Sequence, residues 1–323
     1  MIAVVAYPRL ERDHRLAIEA TRAAHDPQAR RIAAHVTLVF PSDVGADAVT
    51  RHVAAVAAAT TPIPFVLRRA IAVRDAAWGG HVFLVPEEGS VAITALHEKL
   101  YDDTLRPFRR LDIPYMPHVT VGADDDWARC EALAKRIDGS LKPIAGWIDN
   151  VSLLSVETER IETLARWALG STITMIRFED RFAAEFARLN RAWLDEHELF
   201  EEADRKHLEH PRESILATGG EIFVALEDGQ VVGVCAMIVR DAATIELAKF
   251  AVDNRARGKG IGAHLTTAAL DWARAQGARR VVLVSSTKLQ AAIRLYERMG
   301  FRREPLPSDL PYATADVYME LPL

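Results

Sequence analysis

The chain has 323 residues, a length that at roughly 100–200 residues per domain gives about two domains. Hydrophobic residues make up 50% and charged residues 26%, which excludes a disordered, coiled-coil or collagen-like chain. Net charge is −5, and Lys+Arg against Asp+Glu is 20 against 22 in residues 1–170 and 20 against 23 in residues 171–323, so neither half offers the broad basic surface that duplex DNA requires. A local basic cleft stays open. Cys130 and Cys235 fall in different halves without metal-ligand spacing, which argues against a disulfide framework or structural zinc. Met1–Pro8 lacks the basic stretch of a secretory signal, and no run approaches 18 apolar residues, so the expectation is a cytoplasmic protein with no membrane partner.

The first half alternates short strands with helices. Ile2–Ala6 reads as a strand, Glu11–His25 as a helix through Leu16 and Ile18, Ala34–Phe40 as a strand stopped by Pro41, and Ala46–Ala59 as a helix. Strands follow at Phe65–Val73 and His81–Val85, then a helix at Val91–Tyr101, a strand at His118–Val121, a helix at Trp127–Ile137, and a closing hairpin of Ile144–Glu157 with Arg160–Trp167. The order is roughly repeated once, an α+β meander. Leu169-Gly170-Ser171 marks the cut, giving domains over 1–168 and 171–323. In the second, Thr172–Phe178 is a strand and Asp180–His197 a long helix. Glu221–Leu226 and Gln230–Ile238 form a hairpin around Asp228-Gly229. Thr244–Val252 is a strand, Gly260–Gln276 an amphipathic helix, Arg280–Ser285 a strand, Leu289–Met299 a helix closed by Gly300, and Asp316–Leu321 a final strand.

His35-Val-Thr37-Leu and His118-Val-Thr120-Val repeat one pattern. Residues i and i+2 of a strand share a face, so each segment aims an imidazole and a hydroxyl the same way. Of seven histidines in the first half, only these two carry a threonine two positions on. Two imidazoles facing across a cleft suit phosphodiester cleavage, one taking the proton of the attacking hydroxyl or water, the other protonating the leaving oxygen. The threonine hydroxyls can bond the non-bridging phosphate oxygens, and no metal is required. The competing reading is two half-buried strand histidines bonded to a neighbouring backbone. Arg106, Arg109 and Arg110 could reach a phosphate, but read better as a solvated charge run, and His81 reads as structural.

Ala34-His-Val-Thr-Leu-Val-Phe-Pro41 and Pro117-His-Val-Thr-Val-Gly122 resemble the two signatures of the two-histidine phosphoesterases, which include the 2′-5′ RNA ligases and cyclic phosphodiesterases. The resemblance covers about residues 1–168. It implies a bilobal α+β fold with His35, Thr37, His118 and Thr120 meeting at a central cleft. It also implies a nucleotide or RNA end with a cyclic or 2′-linked phosphate as partner.

Arg257-Gly-Lys-Gly-Ile-Gly262 lies between a strand and a helix, where glycines let backbone N–H groups approach an anion and the helix dipole assists. Lys259 is followed by Gly260, so this is not a Walker A loop. A nicotinamide reading lacks the acidic ribose ligand after Arg280–Ser285 and the opening βαβ unit. A purely structural glycine turn stays open. His207 and His210 belong to Asp204–Pro211, which reads as a charged helix end stopped by proline rather than as a metal site.

Thr244–Val252, Arg257–Gly262 and Ala291–Phe301 together resemble the GNAT acetyltransferase family: Arg257-x-x-Gly260-x-Gly262 fits its pyrophosphate signature, and Leu295-Tyr296…Gly300-Phe301 its LY…GF element. The resemblance covers roughly 171–323 and implies α/β architecture with a mixed, splayed central sheet. One departure exists: many members place Asn seven residues before the tyrosine, where this chain has Leu289. The resemblance implies acetyl-CoA held by the backbone of Arg257, Gly258, Lys259, Gly260, Ile261 and Gly262, with Ala251 and Val252 bonding the pantetheine. It makes Glu246 the base and Tyr296 the acid, although Tyr296 shares a helix face with Ile293 and Met299 and could be core. Two functional readings result. One is a bifunctional enzyme, an N-acetyltransferase for a small-molecule or peptide amine joined to a phosphodiesterase. The other is an acetyltransferase whose first domain binds a nucleotide or RNA end without cleaving it.

Overall fold

In the computed structural model, which describes residues 1–75, 79–112, 114–158, 160–307 and 312–323, the chain divides into two units, Met1–Thr172 and Ile173–Leu323. The first contains β1 (Ile2–Ala6), β2 (Arg9–Leu10), α1 (Arg12–His25), β3 (Val36–Ser42), α2 (Ala46–Ala58), β4 (Ile63–Asp75), β5 (Gly79–Glu88), α3 (Ser90–Leu100), β6 (Val119–Asp124), α4 (Trp127–Asp138), β7 (Ile144–Ile148), β8 (Asn150–Val156) and β9 (Ile161–Ala168). They form two antiparallel arrays, β9-β8-β1-β3 and β2-β7-β4-β5-β6. β1 is buried along its whole length between β8 and β3, as its unbroken apolar run requires. Helix α2 packs on the first array, α1 and α4 on the second, and α3 touches both.

Two expectations are corrected here. Pro41 does not stop its strand, since β3 continues to Ser42. Within this unit β3 pairs only with β1, and a strand with one unpaired side can omit an N–H without breaking a ladder. The expected single strand over 144–157 is two. Burial alternates in β7, one face inward, whereas the first five residues of β8 are all buried. The chain changes sheet at Asp149, whose carboxylate accepts from Arg9 Nε at 2.5 Å.

The second unit contains β10 (Ile173–Arg177), α5 (Ala183–Glu196), α6 (Glu202–Glu209), β11 (Glu221–Glu227), β12 (Gln230–Val239), β13 (Thr244–Val252), α7 (Ile261–Ala275), β14 (Arg280–Ser285), α8 (Gln290–Arg298), β15 (Arg302–Glu304) and β16 (Val317–Pro322), in the order β15-β16-β14-β13-β12-β11-β10. Asp228 and Gly229 both take positive φ, the turn the Asp-Gly pair calls for. Alternate residues of β11 and β12 feed two cores: Phe223, Ala225, Cys235 and Met237 face α7 and α8, while Ile222, Val224, Val234 and Ala236 face α5 and α6. The segment read as a charged helix end is a helix of its own, α6, opened by a reciprocal capping box between Glu201 and Asp204. Among the described residues, the only parallel pair in this sheet is β13–β14, and it ends at Glu246↔Val282, so the two strands part beyond that point.

Candidate functional sites

His35 and His118 each stand one residue before their strand, β3 and β6. Each Nδ1 bonds the carbonyl two residues earlier, Ala33 O at 2.8 Å and Met116 O at 2.7 Å. A carbonyl only accepts, so both rings carry the proton on Nδ1 and leave Nε2 as the unprotonated nitrogen. The backbone bonds that the competing reading expected are present, and they fix which nitrogen of each ring is left over. Burial lowers both rings to a pKa of about 4, opposed by the carbonyl bonds; the charge of His35 also depresses His118, which brings the two imidazoles into one electrostatic neighbourhood. Among the described residues, the hydroxyls of Thr37 and Thr120, half-buried beside them, bond no protein group.

The surroundings hold these groups in place. Tyr115 Oη donates to Thr37 O at 2.9 Å, tying the approach to β6 onto β3. The Tyr115 ring stacks on His97 at 3.6 Å, and His97 Nδ1 bonds Leu38 O at 2.7 Å. Tyr7 meets the His35 ring edge-on at 6.4 Å, and the Arg166 guanidinium lies over Tyr7, its Nε donating to Asn150 Oδ1. The buried ion pair of Arg22 with Asp26 (2.9 Å) acts on His35 with opposing signs. His81, read as structural, stacks with Phe83 at 5.8 Å, and its charge lowers His118, so it belongs to this neighbourhood. Arg106, Arg109 and Arg110 pair with Asp102, Glu98 and Asp112 at the exposed surface.

In the second unit, Gly258 and Gly260 adopt φ of +82° and +77°, conformations that an L side chain disfavours. A Cβ at Gly258 would meet nothing within 4 Å, and Gly260 precedes the first residue of the fifteen-residue α7. Gly262 serves packing, since a Cβ there would lie 3.0 Å from Leu295 Cδ2. The side chains of Arg257 and Lys259 turn to Glu196 (2.9 Å) and Glu227 (2.6 Å), leaving the loop backbone as its anion-facing element. Open glycines, a helix N-terminus and the gap between β13 and β14 fit a pyrophosphate with an extended thiol-bearing arm. Ala251 and Val252 pair with Val234 and Gly233 on β12 and have no β14 partner on the other side.

A cavity of about 110 Å³ opens at the gap, lined by Glu246–Phe250, Val284–Ser286, Tyr296 and, opposite, Trp193, Asp204 and Tyr312. It brings Glu246 and Tyr296 to one cavity. Glu246 is buried, with Oε2 held by Nε and Nη2 of Arg240. Tyr296 packs edge-on against Phe250 and Phe301, and burial pushes its phenol pKa up. Core packing and cavity lining are thus both true of it. Sequence reasoning missed Lys249, whose ammonium bonds Asp204 Oδ1 (2.5 Å) and Tyr312 Oη (2.9 Å) in this cavity. The one basic residue in the strand Thr244–Val252, three positions after Glu246, was the available signal. His207 bonds Ser214 Oγ at 3.1 Å, and burial together with Lys249, Lys206 and Arg240 lowers it to about 4. Among the described residues, no group of three His, Cys, Asp or Glu could hold a metal ion, and no helix is long and apolar enough to cross a membrane.

Comparison with known proteins matches residues 10–160 to the 2′-5′ RNA ligase superfamily and residues 184–301 to the Acetyltransferase (GNAT) family. N-acetylaspartate synthetase of Danio rerio is 41% identical over 87 residues, 27% of this chain and 31% of that protein. N-alpha-acetyltransferase 30 of Schizosaccharomyces pombe is 36% identical over 85 residues, 25% of this chain and 57% of that protein. The chain thus spans less than a third of the length of the first relative. A GNAT-family acetyltransferase from Staphylococcus aureus Mu50 superposes with a TM-score of 0.42 at 23% identity, over 46% of this chain and 97% of that one. An acetyltransferase from Salmonella typhimurium, solved with acetyl-CoA, gives 0.38 at 22% identity, over 47% and 94%. Residues 10–160 carry a 2′-5′ RNA ligase superfamily domain of the two-histidine phosphoesterase type, and residues 184–301 carry a GNAT acetyltransferase domain, a family that uses acetyl-CoA.

Proposed function

We propose that the chain is a bifunctional enzyme: a metal-independent phosphodiesterase over residues 1–168, acting on cyclic or 2′-5′ phosphodiesters of RNA ends or nucleotides, and an acetyl-CoA-dependent N-acetyltransferase over 171–323. The observation that carries the first activity is the matched pair of Nδ1–carbonyl bonds at His35 and His118. With both Nε2 atoms presented, one imidazole removes a proton from water and the other returns one to the leaving oxygen. Thr37 and Thr120 supply donors where charge builds on phosphorus-bound oxygen. In the second domain, acetyl-CoA supplies a thioester-activated acetyl group for an amine. Glu246 Oε1, without a partner among the described residues, accepts a proton from the incoming amine, directly or through water. Burial keeps the Tyr296 phenol protonated and so able to donate.

Purified protein with 2′,3′-cyclic nucleotides should release nucleoside monophosphate, and His35→Ala or His118→Ala should abolish it. No turnover of cyclic and 2′-5′ substrates overturns this activity. A second reading is favoured by the low pKa of both rings, which leaves the free site without an imidazolium acid at neutral pH: the first domain binds a phosphorylated RNA end without cleaving it. Bound phosphate would restore the proton by opposite-charge attraction, so turnover decides between the two. Tight binding of a 2′-phosphate end without product, weakened by Thr37→Ala, selects the second.

A further inference from the structure

The cavity of the second unit contains a buried cation that the acetyl-transfer chemistry leaves unused. Lys249 takes φ of +48°, a backbone conformation that a β-carbon disfavours, at the irregularity where β13 shifts register against β12. This turns its side chain, only 6% exposed, into the cavity. Two of its three ammonium protons go to Asp204 Oδ1 and Tyr312 Oη. Among the described residues the third has no acceptor. The position is fixed from several sides. Asp204 Oδ2 accepts from Glu201 N, and the Glu201 carboxylate in turn accepts from Ala313 N and from N and Oγ1 of Thr314, holding Tyr312's neighbours against α6.

Charge narrows what such a site takes. Lys249 balances Asp204, and Arg240 balances Glu246, so the two buried carboxylates are already neutralised. A ligand with unmatched charge would leave a charge uncompensated at low dielectric. A zwitterion adds one charge of each sign. We propose that Lys249 anchors the carboxylate of the acetyl acceptor, which is a free amino acid whose ammonium group faces Glu246. The proposal rests on the acetyltransferase reading above. The carboxylate takes no part in the transfer; the third Lys249 proton orients it by a charge-assisted hydrogen bond, and the N-acetylated product keeps the same contact.

The test uses the full chain with acetyl-CoA and each of the twenty amino acids beside its C-terminal amide, which keeps the amine and removes the negative charge. Acetylated product is read by mass spectrometry, and binding of N-acetyl amino acids and their amides by calorimetry. At least one free acid should exceed its amide by about tenfold or more in kcat/KM, with the same order in binding. In Lys249→Met combined with Asp204→Asn, which leaves no buried carboxylate unpaired, the discrimination should fall to within about twofold. Equal use of acids and amides, a preference for peptide N-termini or polyamines, or discrimination that survives in the double variant overturns the proposal. A melting shift with acetyl-CoA alongside any of these leaves the acetyltransferase reading standing. Absence of that shift together with absence of any acetylated amine overturns both.

Discussion

His118 lies flat on Phe83, the ring centroids 3.7 Å apart and the planes 17° from parallel. Phe83 pairs with Thr120 across β5 and β6, so one residue packs the imidazole while lying opposite the hydroxyl of the same motif. The phenyl face excludes water from one side of His118, in keeping with burial as the main cause of its low pKa. Phe83→Ala should therefore raise the His118 pKa by about one unit or more. Titration of the ring resonances by NMR measures it, and an unchanged value would remove Phe83 from this role.

The same depressed values give the first domain a pH-dependent stability. Folded His35 and His118 titrate at about 4, against an unfolded value of 6.5, so the unfolded chain binds more protons between those limits. Stability from this source is complete above pH 6.5 and is lost as pH falls toward 4. Each ring keeps some solvent access, which reduces the effect to about 1–2 kcal/mol per histidine. Denaturant unfolding at pH 7 and pH 4.5 should show the loss, and His35→Gln should make the difference smaller.

Gly258 and Gly277 provide a matched control for the glycine loop. Both have positive φ, +82° and +76°, and at neither would a Cβ meet another atom within 4 Å. Alanine at either should cost about 1 kcal/mol of stability through backbone strain. Acetyl-CoA at 100 times its dissociation constant should stabilise the native chain and Gly277→Ala by about 2.7 kcal/mol, and Gly258→Ala by less. Equal shifts in both variants would make the loop structural.

Tyr296→Phe removes an oxygen and leaves the ring that packs between Phe250 and Phe301. The variant should fold as the native chain does while kcat for acetyl transfer falls about 100-fold and KM stays within about twofold. A native kcat would return Tyr296 to the core alone.

Much of this was legible in the sequence because it is local. The limits of β1, β13 and β14 coincide with the segments expected from the residue pattern. The glycine loop opens a helix as its spacing implied, and each histidine stands one residue ahead of the strand expected to carry it. The failures have non-local causes. Pro41 is tolerated because of which strand lies beside β3, and the break at Asp149 arises because the two halves of one apolar run belong to different sheets. The pairing of Lys249 with Asp204 spans 45 residues and depends on α6, a helix that buries only Asp204 and Leu208 and so carries little apolar pattern. Phe83 is ordinary strand sequence until β6 is laid beside it.

The twin carbonyl bonds of His35 and His118 also bear on reversibility. Each ring has the same tautomer, the same anchoring two residues upstream and a pKa lowered to about 4, so these features make both rings equivalent, while Phe83 stacks on His118 alone. In the phosphodiesterase proposed above, which imidazole gives a proton would then depend on which oxygen of the bound ester leaves. By microscopic reversibility the two rings would exchange roles when that reaction runs backward. In that reading, opening and joining a phosphodiester would call on the same two rings in the same protein geometry.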